Sequence, residues 1–315
     1  MEARMVPGKV RVSEVGTRDG LQSEPQFIPT ADKIALVDAV TRAGVRRVEV
    51  SSFVSPRAVP QMADAAAVMA GIQRPQGLVA SCLVPNANGA RRAADARVDE
   101  MVAFLSASES HNRANVNRSV AESLEGFRQV AAIARQHAIA VHGAIATAFG
   151  CPFEGDVPFA QVVGIVGRLR EIGVREVTLG DTTGMATPPI VKGLCRAIQA
   201  AYPDVHITLH FHNTRGIGLA NVMAGLEAGI DSYEASLGGI GGCPFAPGAT
   251  GNICTEDLVY LLHEMGIETG IDLALLIEAA RRLERLVGHP VPGQVMKAGP
   301  RLRRHPLDAV RHAAG

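Results

Sequence analysis

A chain of 315 residues with 47% apolar and 20% charged residues has the material for a large buried core, which excludes a disordered protein. Lys+Arg and Asp+Glu balance at 31 each, so capture of nucleic acid or an anionic membrane through overall charge is excluded. Tryptophan is absent and aromatic residues reach only 4%, which removes the stacking platforms that bind single strands.

The first residues, MEARMVPGKV, hold no secretory or transit segment, and no apolar stretch approaches the roughly 18–20 residues of a membrane span. A cytoplasmic protein is expected. Short, valine-rich apolar runs then recur at 10–15, 45–50, 78–84, 98–105, 139–147, 174–179, 205–211 and 230–237. Each has the length of a strand covered on both faces, as in a parallel sheet. Helical spacing fills the intervals. Thr30 is placed to cap a helix whose face carries Ile34, Val37 and Val40, and similar segments follow at 64–72, 87–96, 120–136, 159–171, 189–200 and 219–228. Gly44, Gly173 and Gly229 each stand where a helix ends and a strand begins, the position of a left-handed C-terminal cap.

Eight strand–helix repeats over about 250 residues predict an α/β fold, a (β/α)8 TIM barrel. Helical stretches at 256–265 and 273–287 add C-terminal helices. The expected division is a catalytic barrel over 1–290 and a peripheral tail over 291–315. Cys82, Cys151, Cys195, Cys243 and Cys254 stand singly, which favours neither a disulfide framework nor a zinc knuckle.

In such a barrel the chemistry sits where strands end. The first run leads into Thr17-Arg18-Asp19-Gly20-Leu21-Gln22, and the second contains Glu49 and ends in Ser51-Ser52. The fourth ends in Ser106-Ala107-Ser108-Glu109, the sixth in Asp181-Thr182, and the seventh in His210-Phe211-His212-Asn213. The third offers only Asn86 and Asn88. Alternate residues of a strand share a face, so His210 and His212 can enter one cavity. With Asp19 they make a mixed N/O site suited to Mg²⁺, Mn²⁺ or Zn²⁺. Each motif also has a plain structural reading: Arg18-Asp19 as a solvated turn, Asp181 as a helix cap, Cys243 as an apolar filler. The glycine-rich stretch 238–251 lacks the lysine of a phosphate loop and reads as a hinged lid.

Seven stretches together resemble the 3-hydroxy-3-methylglutaryl-CoA lyase family. They are EVGTRDGLQSE (14–24), VEVSSFVSPRAVPQMAD (48–64), SASESHNRANVN (106–117), GCPFEG (150–155), LGDTTG (179–184), HFHNTRG (210–216) and GGIGGCPFAPGATGNICTEDLVYLL (238–262). The R-D and H-x-H elements are shared with the wider superfamily, isopropylmalate and homocitrate synthases included. The resemblance implies retro-Claisen cleavage of a 3-hydroxy-3-methyl acyl-CoA into acetyl-CoA and a 3-oxo acid by a homodimer. It implies a metal held by Asp19, His210, His212 and Asn252, an enolate-stabilising Arg18, and a lid cysteine, Cys243, that delivers a proton. Glu49 and Asp181 match acidic residues with supporting or proton-transfer roles. Gln22, Ser52 and His210 are assigned to substrate contact. Pro25 and Arg215 depart from the family pattern and leave room for a related thioester such as citramalyl-CoA or an isoprenylated glutaryl-CoA. Rival readings are a synthase, which is expected to need a further C-terminal domain, a zinc hydrolase, which places H-x-H on the first strand, and a non-catalytic metabolite-binding barrel.

Overall fold

Each strand pairs in parallel with the next and the last returns to the first. In a computed structural model, which describes residues 6–242 and 251–304, the closed barrel runs β1 (Arg11–Glu14), β2 (Arg47–Ser52), β3 (Val79–Leu83), β4 (Glu100–Ser106), β5 (Ala140–Ala146), β6 (Glu176–Asp181), β7 (His206–Phe211) and β8 (Ser232–Ala235). The expected (β/α)8 architecture is therefore the observed one. β2, β4 and β6 extend past their apolar runs, because the polar residues Ser51-Ser52, Ser106 and Gly180-Asp181 are drawn into the sheet.

The enclosing helices are α1 (Thr30–Arg42), α2 (Ala65–Gly71), α3 (Ala87–Asp95), α4 (Glu109–Val116), α5 (Val120–Gln136), α6 (Phe159–Ile172), α7 (Pro188–Ala201) and α8 (Gly218–Glu227). After β8 come α9 (Thr255–Glu264), α10 (Leu273–Val287) and the short α11 (Val295–Ala298). Gly44, Gly173 and Gly229 adopt φ of +108°, +103° and +81°, the left-handed conformation expected of them. Thr30 corrects an expectation. Pro29 occupies the cap position of α1, and the Thr30 hydroxyl instead donates to Asp64 Oδ2 at 2.7 Å. The helix α4, absent from the periodicity, rests on a local cap in which Ser108 Oγ accepts from the His111 amide at 3.1 Å. Asn86 is spent in the same way on α3, accepting from the Gly89 amide, which explains why the end of β3 is chemically sparse.

The strands alternate. Val177 and Leu179 of β6, Ile207, Leu209 and Phe211 of β7, and Tyr233 of β8 are buried in the apolar layer under the helices. Their neighbours Thr178, Thr208, His210, Ser232 and Glu234 point the other way, along the barrel axis. Arg47 of β2 reaches Glu176 of β6 at 3.2 Å, a contact possible only across the interior. Barrels of this kind usually fill that space with branched apolar residues. Here it is polar.

α10 lies against α1, and Val291, Val295 and Met296 are buried beyond it. Glu256, in the first turn of α9, is fully buried. One oxygen accepts from the Gly238 amide at 3.1 Å and the other has no partner. Burial pushes its carboxyl up to about 8, against an ordinary 4.5. The native state thus holds a proton that the unfolded chain releases, and stability falls as pH rises through that window. Glu256→Gln removes the ionisation, so the melting temperature of the variant should drop less than that of the wild type between about pH 6 and about pH 9. An equal drop in the two proteins, measured by scanning calorimetry, would assign the pH dependence to other groups.

Candidate active site

β1 leads into a wide turn, Gly16–Gly20, in which the Arg18 and Asp19 amides both donate to the Val15 carbonyl at 3.0 and 2.7 Å. Glu14 fixes that turn from below. Its Oε1 accepts from the amides of Gly16 (2.6 Å) and Leu237 (2.8 Å), and its Oε2 from the Thr255 hydroxyl (2.7 Å). One buried carboxyl therefore joins the end of β1 to the end of β8. Burial raises it to about 7 despite those donors.

Arg18-Asp19 is not a solvated turn, since the two side chains keep only 12% and 15% of their exposure. Arg18 Nε donates to Glu49 Oε2 at 2.6 Å and Nη1 to Asp19 Oδ1 at 2.7 Å. Burial opposes the guanidinium charge, but Glu49 and Asp19 more than restore it. Burial likewise opposes the Asp19 charge, yet Arg18, His210, His212 and the Asn252 amide hold its carboxyl down at about 2. Gln22 Nε2 lies 3.4 Å from Asp19 Oδ1.

The histidines of β7 face this carboxylate. His212 Nε2 stands 3.1 Å from His210 Nε2 and 3.9 Å from Asp19 Oδ2, and the ligand atoms of all three residues lie within 4.8 Å of one another. Asn252 Nδ2 donates to Asp19 Oδ2 at 2.7 Å, while its buried Oδ1 has no partner. Two imidazole nitrogens in contact, a carboxylate held ionised and an orphaned amide oxygen form a donor set that suits a divalent cation. Burial and then the neighbouring His210 push His212 down to about 4, which keeps that imidazole neutral. Burial also opposes the His210 charge, but Glu234 and Asp19 outweigh it and raise that ring, so His210 is the more basic of the pair and gives up a proton when an ion binds. Gly241 packs tightly against the same turn at φ +103°: a Cβ there would lie 2.8 Å from Asn252 Nδ2 and 2.9 Å from the Asp19 carbonyl.

Two further acids border the site. Asp181 caps no helix, since α7 begins seven residues later; its Oδ1 accepts from the Met185 and Ala186 amides at 2.7 and 2.9 Å. Its buried Oδ2 is unpartnered, and burial raises the carboxyl to about 7. Glu49 also rises to about 7, because burial outweighs the pull of Arg18. Ser52 is fully buried, its hydroxyl donating to the Leu83 carbonyl at 3.4 Å and accepting from the Val54 amide at 3.3 Å. Arg215 is tied to the Thr183 and Gly184 carbonyls at 3.0 and 2.7 Å. Cys243 lies outside the described residues.

Residues 9–283 match the HMGL-like family model. The chain belongs to the HMGL-like family. Within it, the chain is 44% identical over 293 residues to the 3-hydroxy-3-isohexenylglutaryl-CoA/hydroxy-methylglutaryl-CoA lyase of Pseudomonas aeruginosa, covering 93% of this chain and 98% of that protein. It is 46% identical over 302 residues to the (R)-citramalyl-CoA lyase of Chloroflexus aurantiacus, covering 92% and 95%. The solved structure of an HMG-CoA lyase from A. baumannii, in complex with coenzyme A and 3-methylmalate, superposes with a TM-score of 0.92 at 45% identity and covers 98% of this chain and 100% of that one. These relatives are carbon–carbon lyases, the class the sequence motifs imply. Among the described residues, no helix is long and apolar enough to cross a membrane.

Sequence reasoning passed over Glu14 and Glu234, although a signal was present. Each is a single acid inside an apolar strand, VSEV and SYEAS. Such a residue is costly unless it is paired.

Proposed function

We propose that the protein is a divalent-metal-dependent lyase that cleaves a 3-hydroxy-3-methylglutaryl-CoA-type thioester to acetyl-CoA and acetoacetate. One observation carries the reading: Asp19, His210, His212 and Asn252 converge beside the Arg18–Glu49 pair and an unpartnered Asp181 oxygen. Asp19, His210, His212 and Asn252 would hold Mg²⁺ or Mn²⁺, which, when bound, makes the C3 hydroxyl of the substrate more acidic.

Asp181 Oδ2 takes the hydroxyl proton. The C2–C3 bond then breaks, its electron pair moves into the thioester as an enolate, and C3 becomes the ketone of acetoacetate. Arg18, kept charged and held by Glu49, faces the enolate oxygen as negative charge develops there. Gln22, beside Asp19, contributes to holding the acyl group, whereas the Ser52 hydroxyl is taken up by the Leu83 carbonyl and the Val54 amide, and the His210 ring is committed to Glu234 and the ion. Cys243, on the glycine-rich loop, returns a proton to C2 to give acetyl-CoA. Zn²⁺ is the alternative metal, because two imidazoles suit it as well.

A second reading is supported by the citramalyl-CoA lyase among the relatives, whose identity is as high as that of the hydroxymethylglutaryl-CoA lyases. Cleavage of citramalyl-CoA gives pyruvate in place of acetoacetate. The proposal carries with it a cytoplasmic homodimer. The test is to incubate purified protein, with Mg²⁺, Mn²⁺ or Zn²⁺, with each hydroxyacyl-CoA and identify both products. Acetyl-CoA with acetoacetate is expected, with turnover rising through about pH 7 as Asp181 loses its proton. Pyruvate as the faster-formed product would move the assignment to the second reading, and no cleavage of any thioester would refute both.

A further inference from the structure

A second group of metal-type ligands lies deeper in the barrel. Glu100 of β4, His142 of β5 and Glu176 of β6 bring their ligand atoms within 4.8 Å of one another. That cluster already has its cation. The Arg47 guanidinium from β2 sits among the three, bonded through Nη2 to Glu100 Oε2, 3.2 Å from Glu176 Oε2 and 2.9 Å from His142 Nδ1. Arg11 Nη2 adds a second contact to Glu176 Oε2 at 3.1 Å.

The hydrogen bonds leaving this cluster run in one direction. A guanidinium only donates, so His142 Nδ1 accepts from Arg47 and the ring proton is on Nε2. His142 Nε2 therefore donates to Thr178 Oγ1 at 2.7 Å, and Thr178 donates its own proton to Glu234 Oε1 at 2.8 Å. The other oxygen, Glu234 Oε2, accepts from His210 Nδ1 at 3.0 Å. With Nδ1 committed to Glu234, Nε2 is the His210 atom left facing His212 and Asp19, and the one that would ligate an ion. Each link lies in the barrel interior, and each removes one alternative tautomer or rotamer of the next.

We propose that Glu234, oriented by Thr178 and His142 from the Arg47-filled cluster, is the positioning residue that holds His210 as a ligand, and that this cluster is an anchor rather than a second metal site. The proposal rests on reading Asp19, His210 and His212 as the metal centre. Its function is geometric: the carboxylate keeps the ring from rotating and from moving its proton between nitrogens. A carboxylate behind a histidine ligand is worth about 10–100-fold in metal affinity where it has been removed in other sites.

The test is Mn²⁺ binding to the full chain, followed by electron paramagnetic resonance of the free ion, with the melting temperature of the metal-free protein recorded beside it. Wild type should bind one Mn²⁺ per chain. Glu234→Leu should bind about 10–100-fold more weakly, Thr178→Val should show a smaller loss in the same direction, and Glu234→Gln, which can still accept from His210, should recover most of the affinity. A merely structural Glu234 would lower the melting temperature of the leucine variant and leave its Mn²⁺ affinity unchanged; that outcome overturns the proposal. Two Mn²⁺ per wild-type chain would overturn the anchor role of the deeper cluster. If Glu234→Leu does not fold, Thr178→Val and Glu234→Gln decide, since wild-type affinity in the former or a loss of more than about 10-fold in the latter contradicts the scheme. His212→Ala separates the two levels: undiminished binding there refutes the metal-centre reading itself, whatever Glu234 does.

Discussion

Arg18→Gln is expected to lower kcat by at least about 10²–10³-fold, the usual cost of removing a fixed donor aimed at a developing oxyanion. The expectation follows from how the guanidinium is held. Glu49 and Asp19 occupy Nε and Nη1 and lock the side chain with only 12% of its exposure left, so its charge is placed before substrate arrives. Glutamine retains a donor but loses the charge and the two-point grip. Because the charge matters most when the enolate forms, kcat should fall and KM should change little. Steady-state kinetics with the thioester identified by product analysis would show this. A wild-type kcat with a raised KM would instead make Arg18 a residue that binds the ground state.

Removal of the divalent cation should abolish turnover altogether. Dialysis against EDTA, with metal content checked by elemental analysis, should leave no cleavage, and Mg²⁺ or Mn²⁺ should restore it. Stability gives an independent readout. A ligand present at 100 times its Kd stabilises the native state by about 2.7 kcal/mol, so the melting temperature should rise on adding the ion. In His212→Ala that rise should shrink, since one of the two imidazole donors to the ion is lost. Undiminished activity in metal-free protein would refute the mechanism.

Much of the fold was legible because its signals are local. Valine-rich runs of strand length and the glycines at three helix-to-strand junctions, Gly44, Gly173 and Gly229, need only a few neighbouring residues. The candidate site was legible for a related reason: strand ends deliver Arg18-Asp19 and His210-x-His212 to one face, whatever the detailed packing. Its supports were not. Glu14 meets Thr255 across 241 residues, and Arg47 meets His142 across 95. A lone glutamate in a strand reads the same whether its partner lies across the barrel or in solvent. Thr30 shows the opposite failure. Its sequence context is that of a cap, but Asp64 from a neighbouring segment claims the hydroxyl.

The polar interior also bears on how the molecule assembles. Arg47 and Glu176, Arg11 and Glu176, and Glu14 and the Leu237 amide belong to strands or strand ends that come together only when the cylinder is shut. A half-barrel of β1–β4 would keep Arg47 with Glu100 but without Glu176 or His142, and one of β5–β8 would leave Glu176 without either arginine and the Leu237 amide without Glu14. Leaving a part-buried carboxylate and a buried amide without their partners is destabilising. Incomplete cylinders are therefore penalised, and the eight repeats, although modular in sequence, form one cooperative unit rather than two independent halves.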